Sequence, residues 1–319
     1  MRCPPQGKNS NVGCAKGPPR GRLQCLGGKR RFKRVALVAS LAALLLATSV
    51  SPAGAVVTIG SNLARVPNSA ANYIPRPTFS NISLASDRQA SGGLSSPVNG
   101  TVVRWRIRVG DSTRVSNLRI VRPLGRGLFT GAGTSPPVTP RTHATTAYVV
   151  GLPIKIGDYI GVDCCDPALF RPDAEFFVTG NAAVRNEWQP SLADGGAGRA
   201  PLGANGYEVA LSAEVNPTST FTLHVITHNK RRGTAMIAAK VPNPGELTGA
   251  GSGVKVANVA VISKKVRAPG KVRLLIKAKG KKKRKLNSNG KVKVRPEITY
   301  TPTGGSPNTR SVTIRLIKG

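Results

Sequence analysis

The chain has 319 residues and a formal net charge of +35, from 48 Lys+Arg against 13 Asp+Glu. Gly (36) and Pro (25) make up about a fifth of it, which argues against a helical bundle yet stays below the level of Pro/Gly-rich disordered chains. That length suffices for two modest domains.

The first element in chain order is an export signal. Lys29, Arg30, Arg31, Lys33 and Arg34 precede an uncharged apolar stretch over residues 35–50, and Ala53-Gly54-Ala55 follows as an Ala-x-Ala cleavage site. The stretch is shorter than the roughly 20 residues a membrane span needs, and Pro52 and Gly54 come directly after it. Residues 1–55 are therefore read as a signal peptide with an extended basic n-region, cleaved after Ala55. The remainder has no second long apolar run, so we expect a secreted or cell-surface-associated protein with no transmembrane span in the mature chain. It keeps only Cys164 and Cys165. Adjacent Cα atoms lie about 3.8 Å apart, below the usual disulfide range. Three outcomes stay open for them: a vicinal bridge, two partly buried thiols, or a bond to another chain.

Charge divides the mature chain in two. Residues 56–217 hold 15 Lys+Arg against 11 Asp+Glu, whereas residues 218–319 hold 23 against only Glu246 and Glu297. A shift that sharp marks a domain boundary near Asn216-Pro217. In the first half Val103, Trp105, Ile107 and Val109 alternate with Arg104, Arg106 and Arg108, the period of a half-buried strand. Leu118 and Ile120 flank Arg119, and Tyr207, Val209, Leu211, Ala213 and Val215 alternate with polar residues as one long strand. Shorter β-rich segments fall at 148–154, 158–162 and 176–179, while the Gly/Pro/Thr-rich stretches 129–146 and 185–204 read as loops. No segment of this half carries a helical period. The pattern predicts a two-sheet, jelly-roll-like sandwich over 56–217. In the second half strands are expected over 221–228, 234–241, 254–261, 271–278, 291–300 and 311–317, close to the roughly seven of an immunoglobulin-like domain over 218–319. The fold class is thus all-β, two β-sandwich domains after a signal peptide.

Several short motifs carry a resemblance. Asn229-Lys230-Arg231-Arg232-Gly233-Thr234, Val241-Pro242, Gly290-Lys291-Val292-Lys293-Val294 and Thr299-Tyr300-Thr301-Pro302-Thr303-Gly304-Gly305 resemble a recurrent basic C-terminal β-sandwich module of secreted actinobacterial proteins. Val57-Thr58-Ile59-Gly60-Ser61-Asn62-Leu63, Ser96-Pro97-Val98-Asn99-Gly100 and Pro153-Ile154-Lys155-Ile156-Gly157-Asp158 are similar to the domain that often precedes it. The resemblance implies a secreted, β-rich, bacterial protein.

Signatures of chemistry are few in the sequence. His224 and His228 lie in a β-branched segment, where residues four apart sit about 13 Å from each other and cannot share one ion. His143 has no flanking nucleophile signature, and Gly249-Ala250-Gly251-Ser252-Gly253 is a turn rather than a dinucleotide fingerprint. Asp158, Asp163, Asp166, Asp173 and Glu175 are the densest acidic region; oxygen ligands of that kind suit calcium, but their spacing matches no calcium loop, and solvated loops are the plainer reading. Two of these carboxylates would also suit a glycosidase. Arg104, Arg106 and Arg108 form either a cationic stripe or the outward face of an amphipathic strand.

The strongest local signal is the basic run 264–295, with 15 cations and no acid. We expect Lys277, Lys279, Lys281, Lys282, Lys283, Arg284, Lys285, Lys291 and Lys293 to bind polyanions as an exposed basic loop. The plainer alternative is a solvated, linker-like segment. Export argues against a nuclear address, and the second half has only Phe221 and Tyr300 as aromatics, so no base-stacking platform and no specific nucleic-acid partner is expected. The abundant polyanions outside a bacterial cell are envelope polymers. The expected function is a non-enzymatic, envelope-associated protein binding anionic wall polymers, with no cofactor, no metal and no catalytic residue. The alternative is a secreted carbohydrate-binding domain or glycan-active enzyme, with Trp105, Trp188, Tyr148 or Tyr159 of the N-terminal sandwich as a sugar platform.

Overall fold

A computed structural model describes residues 56–71, 76–165, 174–258 and 264–319. The signal read over 1–55, Asp166, Asp173 and residues 259–261 of an expected strand lie outside them. The described chain is predominantly β, organised in antiparallel sheets. The first half contributes β1 (Val57–Gly60), β2 (Ser69–Ala71), β3 (Thr78–Ser83), β4 (Gly100–Val109), β5 (Ser116–Gly125) and β6 (Leu128–Thr134). It continues with β7 (Ala144–Ile154), β8 (Tyr159–Cys164), β9 (Ala174–Trp188), β10 (Leu202–Val209) and β11 (Leu211–Pro217). A four-stranded sheet runs β1-β11-β4-β7, and a seven-stranded one runs β10-β9-β3-β8-β5-β6 with β2 also on β9. Ile59, Val102, Trp105 and Ile107 of the first share one buried cluster with Phe79, Leu118, Val162 and Phe176 of the second.

The structure departs from the sequence pattern at three places. The register of β4 on β7 shifts between Val102 and Arg104, so Val102 is fully buried and Val103, expected inside, is only half-buried. A bulge of this kind turns the following side chains by one place. The long strand expected from Tyr207 to Val215 is two strands of different sheets. The chain crosses at buried Ala210, whose N–H donates to the Phe176 carbonyl (2.9 Å) and whose carbonyl accepts from the Arg108 N–H (3.0 Å). Both 129–146 and 185–204, expected as loops, contain strand. In β6 Gly131 serves close packing, since a Cβ there would stand 2.8 Å from the Ala193 carbonyl oxygen.

Cys164 and Cys165 form a vicinal disulfide, which decides among the three outcomes. Cys164 is fully buried in the first core, and Cys165 takes the left-handed region at φ +71°. The bridge closes almost no loop and so restrains the unfolded chain little.

The second half contributes β12 (Thr222–Asn229), β13 (Thr234–Val241), β14 (Gly245–Ala250), β15 (Val254–Asn258), β16 (Lys264–Val266) and β17 (Gly270–Ala278). Helix α1 (Gly280–Asn289) follows, then β18 (Lys291–Val294), β19 (Glu297–Pro302), β20 (Asn308–Ser311) and β21 (Ile314–Ile317). Two four-stranded sheets run β12-β13-β17-β15 and β16-β14-β19-β20, and β18 pairs with β21. They share a second buried cluster, with Ile237, Ile276, Leu247, Ile298, Tyr300 and Leu316 among its members.

Asn99 and Asn243 join the halves. The Asn243 side chain is fully buried; its Oδ1 accepts from the Asn99 N–H (2.6 Å), and its Nδ2 donates to the carbonyls of Asn99 (2.8 Å) and Thr218 (2.9 Å). Tyr300 donates its hydroxyl to the Asn243 carbonyl at 2.8 Å, and burial pushes that phenol up to about 12. Net worth near 1 kcal/mol per buried hydrogen bond means that Asn243→Ala is expected to cost roughly 2–3 kcal/mol, read as a lower denaturant midpoint with an unchanged slope. An unchanged midpoint would show that the clamp is not what fixes the halves together.

Candidate functional site

The arginines of the first half are largely engaged. Arg122 makes two bonds to Asp158, Nε to Oδ1 at 2.9 Å and Nη2 to Oδ2 at 2.6 Å. Arg119 holds Asp163 through Nε (3.0 Å) and Nη2, and reaches Asp194 through Nη1 (2.7 Å). Arg88 pairs with Glu208, to which Ser61 also donates at 2.6 Å. Arg104 and Arg106 both bond Glu214, and Arg108 donates to the carbonyls of Leu63 and Ala64. The row Arg104, Arg106, Arg108 is therefore tied down and not a free cationic stripe.

The described carboxylates of the acidic region are engaged as well. Asp158 and Asp163 are buried beneath their guanidinium partners, and Glu175 accepts from the Asp111 N–H at 2.5 Å. Burial pushes the Asp163 carboxyl above the usual aspartate range, against the hydrogen bonds from Arg119 and Thr78. Neither Asp158 nor Asp163 is presented to a substrate. Among the described residues no group of three His, Cys, Asp or Glu is placed to hold a metal. His224 and His228 are exposed on β12, and His143 is exposed with Nδ1 at 3.4 Å from Asp111.

The four rings offered as a sugar platform differ in exposure, the two tryptophans being buried and the two tyrosines partly buried. Trp105 and Trp188 are 1% and 0% exposed, Tyr148 packs on Trp105, and Tyr159 packs on Phe129. Among the described residues no aromatic side chain is fully exposed. Trp105 and Trp188 are core residues, while Tyr148 and Tyr159 pack partly buried against the cores.

The second half is electrostatically opposite. All the ion pairs among the described residues lie in the first half, and Glu246 and Glu297 make none. Lys277, Lys279, Lys281, Lys282, Lys283, Arg284, Lys285, Lys291 and Lys293 are all exposed. They do not form a loop, however. Lys277 is the penultimate residue of β17, the pentad from Lys281 to Lys285 lies on α1, and Lys291 and Lys293 alternate on β18 with buried Val292 and Val294.

The helix has a local cause. Lys and Arg are good helix formers, Leu286 inserts into the second core at 4% exposure, and Gly290 closes the last turn at φ +63°. Its charges oppose it. Lys281 faces Arg284 and Lys285 at three- and four-residue spacing, and no acid lies in a first turn whose dipole is already positive. Lys282 relieves a little of this by donating Nζ to the Lys293 carbonyl at 3.3 Å.

The fold adds two cations to this surface that the basic run 264–295 does not contain. Arg232, on the β12–β13 turn, and Lys318, near the C-terminus, stand beside the helix because Gly233 lets three segments meet. A Cβ on Gly233, at φ +62°, would fall 2.8 Å from Leu286 Cδ2 and 3.2 Å from Lys318 Cβ. The final residues are held by the Lys318 N–H, which donates to the Gly290 carbonyl at 2.7 Å.

Compared with known proteins, the chain matches no family model, no curated protein and no solved structure. Among the described residues no helix is long and apolar enough to cross a membrane.

Proposed function

We propose that the chain is a secreted, non-enzymatic protein of two β-sandwiches, and that its basic C-terminal half associates with anionic polymers of the cell envelope. The observation that carries this reading is the unmatched charge of the second half: its exposed cations have no carboxylate partner among the described residues. Like charges held together on α1 raise the energy of the free protein, and a bound polyanion lowers it. The sandwich assignment is supported by the two separate buried clusters, each lined by residues of more than one sheet. Secretion rests on the signal read over residues 1–55.

Binding through many exposed charges is screened over about 10 Å at 0.1 M salt. The full chain is expected to be retained by isolated bacterial walls in dilute buffer and released steeply as sodium chloride rises. Free poly(glycerol phosphate) is expected to compete, and neutral dextran is not. Retention that ignores salt, or that dextran abolishes, would transfer the function to the first half and its loops.

A further inference from the structure

The cations of the second half are not spread evenly. A cleft of about 510 Å³ opens between the β12–β13 turn, the end of β17, α1 and the C-terminal residues. Exposed Arg232, Lys277, Lys279, Lys283 and Lys318 line it together with Ala278 and buried Leu286. A smaller groove of about 300 Å³ continues from it and shares Arg232, Thr234 and Lys277. Neither Glu246 nor Glu297 lines either space. The size is that of a ligand pocket, but the usual aromatic lining is missing.

The geometry points to a site for a phosphodiester-linked polyol chain, with one phosphate in the cleft and the next in the adjoining groove. This rests on the polyanion reading above and narrows it to one chemistry. Three features decide the class. Arg232 brings a planar fork suited to paired phosphate oxygens, and the lysines add point charges around it, so several positive groups meet one compact anion. Arg232 and Lys277 belong to both spaces, which places cations between successive anionic groups. Between the cations the lining mixes aliphatic Ala278 and Leu286 with polar Thr234 and Asn287, and no aromatic ring lines either space. That lining suits the carbon backbone of an open-chain polyol, and it gives a nucleobase or sugar ring nothing to stack on.

The experiment measures binding of the full chain, by calorimetry at 0.15 M salt, to three polymers of matched charge number: poly(glycerol phosphate), polygalacturonate and oligothymidylate. Arg232→Gln with Lys283→Gln alters the cleft. Lys281→Gln with Lys285→Gln removes the same charge from elsewhere on the helix. All four positions are exposed, so melting temperatures are expected to stay unchanged.

Poly(glycerol phosphate) is expected to bind roughly tenfold or more tightly than either other polymer, and the cleft variant to erase that preference. The outer variant should weaken all three equally and keep the preference. Equal affinity for all three, or an equal effect of the two variants, would overturn the cleft as a site while leaving charge-driven adhesion standing. Tighter binding of oligothymidylate would overturn the polyol assignment. Failure to bind any of the three would defeat the polyanion reading itself.

Discussion

Asp163→Ala is expected to lower the melting temperature by roughly 6–20 °C. Asp163 is 2% exposed on β8, accepts the Thr78 hydroxyl of β3 at 2.5 Å, and holds Arg119 of β5. The Thr78 hydroxyl in turn accepts the Leu192 N–H at 3.0 Å, and Arg119 reaches Asp194, whose Oδ2 accepts from Thr134 at 2.7 Å. Three adjacent strands and the 189–201 segment thus meet on one carboxylate. Removing one member of such a buried pair typically costs about 3–5 kcal/mol, because the remaining charge stays buried without its partner. At about 2–4 °C per kcal/mol for a chain of this size, that gives the range stated. Replacing both members, Arg119→Met with Asp163→Leu, should cost distinctly less than Asp163→Ala alone, since burial already outweighs the pull of Arg119 on this carboxyl. A single alanine variant that melts within 2 °C of the parent would mean that the pair is solvated in the native state.

How much of this was legible depends on the range of the interaction. The alternation around Trp105 announced β4 because a strand's inward and outward faces are written in neighbouring residues. The bulge at Val103 was not legible, since it depends on how β7 and β11 register against that strand. The crossing at Ala210 was hidden for a related reason: the apolar alternation of Tyr207, Val209, Leu211, Ala213 and Val215 in the sequence runs straight through the point where the chain changes sheets. Helix α1 escaped because it has a single buried apolar residue, Leu286, and one residue makes no period. The pairing of Asp158 with Arg122 and of Asp163 with Arg119 joins different strands and leaves no local mark. The basic surface was legible in its composition. Its shape was not, because Arg232 and Lys318 reach it only through the fold.

The helical pentad leads to the second large effect. Lys281, Lys282, Lys283, Arg284 and Lys285 are all exposed on one short helix, so a polymer lying along α1 can meet several of them at once. Each phosphate contact releases condensed counterions, and for duplex DNA the logarithm of the affinity falls by about 0.9 per contact for each tenfold rise in salt. A polymer of similar charge density that engages all five would therefore lose a slope of roughly 4–5 when the five are changed to Gln, with an affinity loss of roughly a hundredfold or more at 0.1 M salt. The fold should survive. Leu286 and Gly290, which seat the helix, are untouched, Gln is nearly as good a helix former as Lys, and the like-charge contacts at three- and four-residue spacing disappear. The variant is thus expected to melt no lower than the parent while binding far more weakly, a separation that a folding defect would not produce. Binding of poly(glycerol phosphate) over a salt series, with thermal melts of both proteins in the same buffers, measures the two together. An unchanged salt slope would show that the pentad does not touch the polymer and would leave Arg232, Lys277, Lys279 and Lys318 to account for binding.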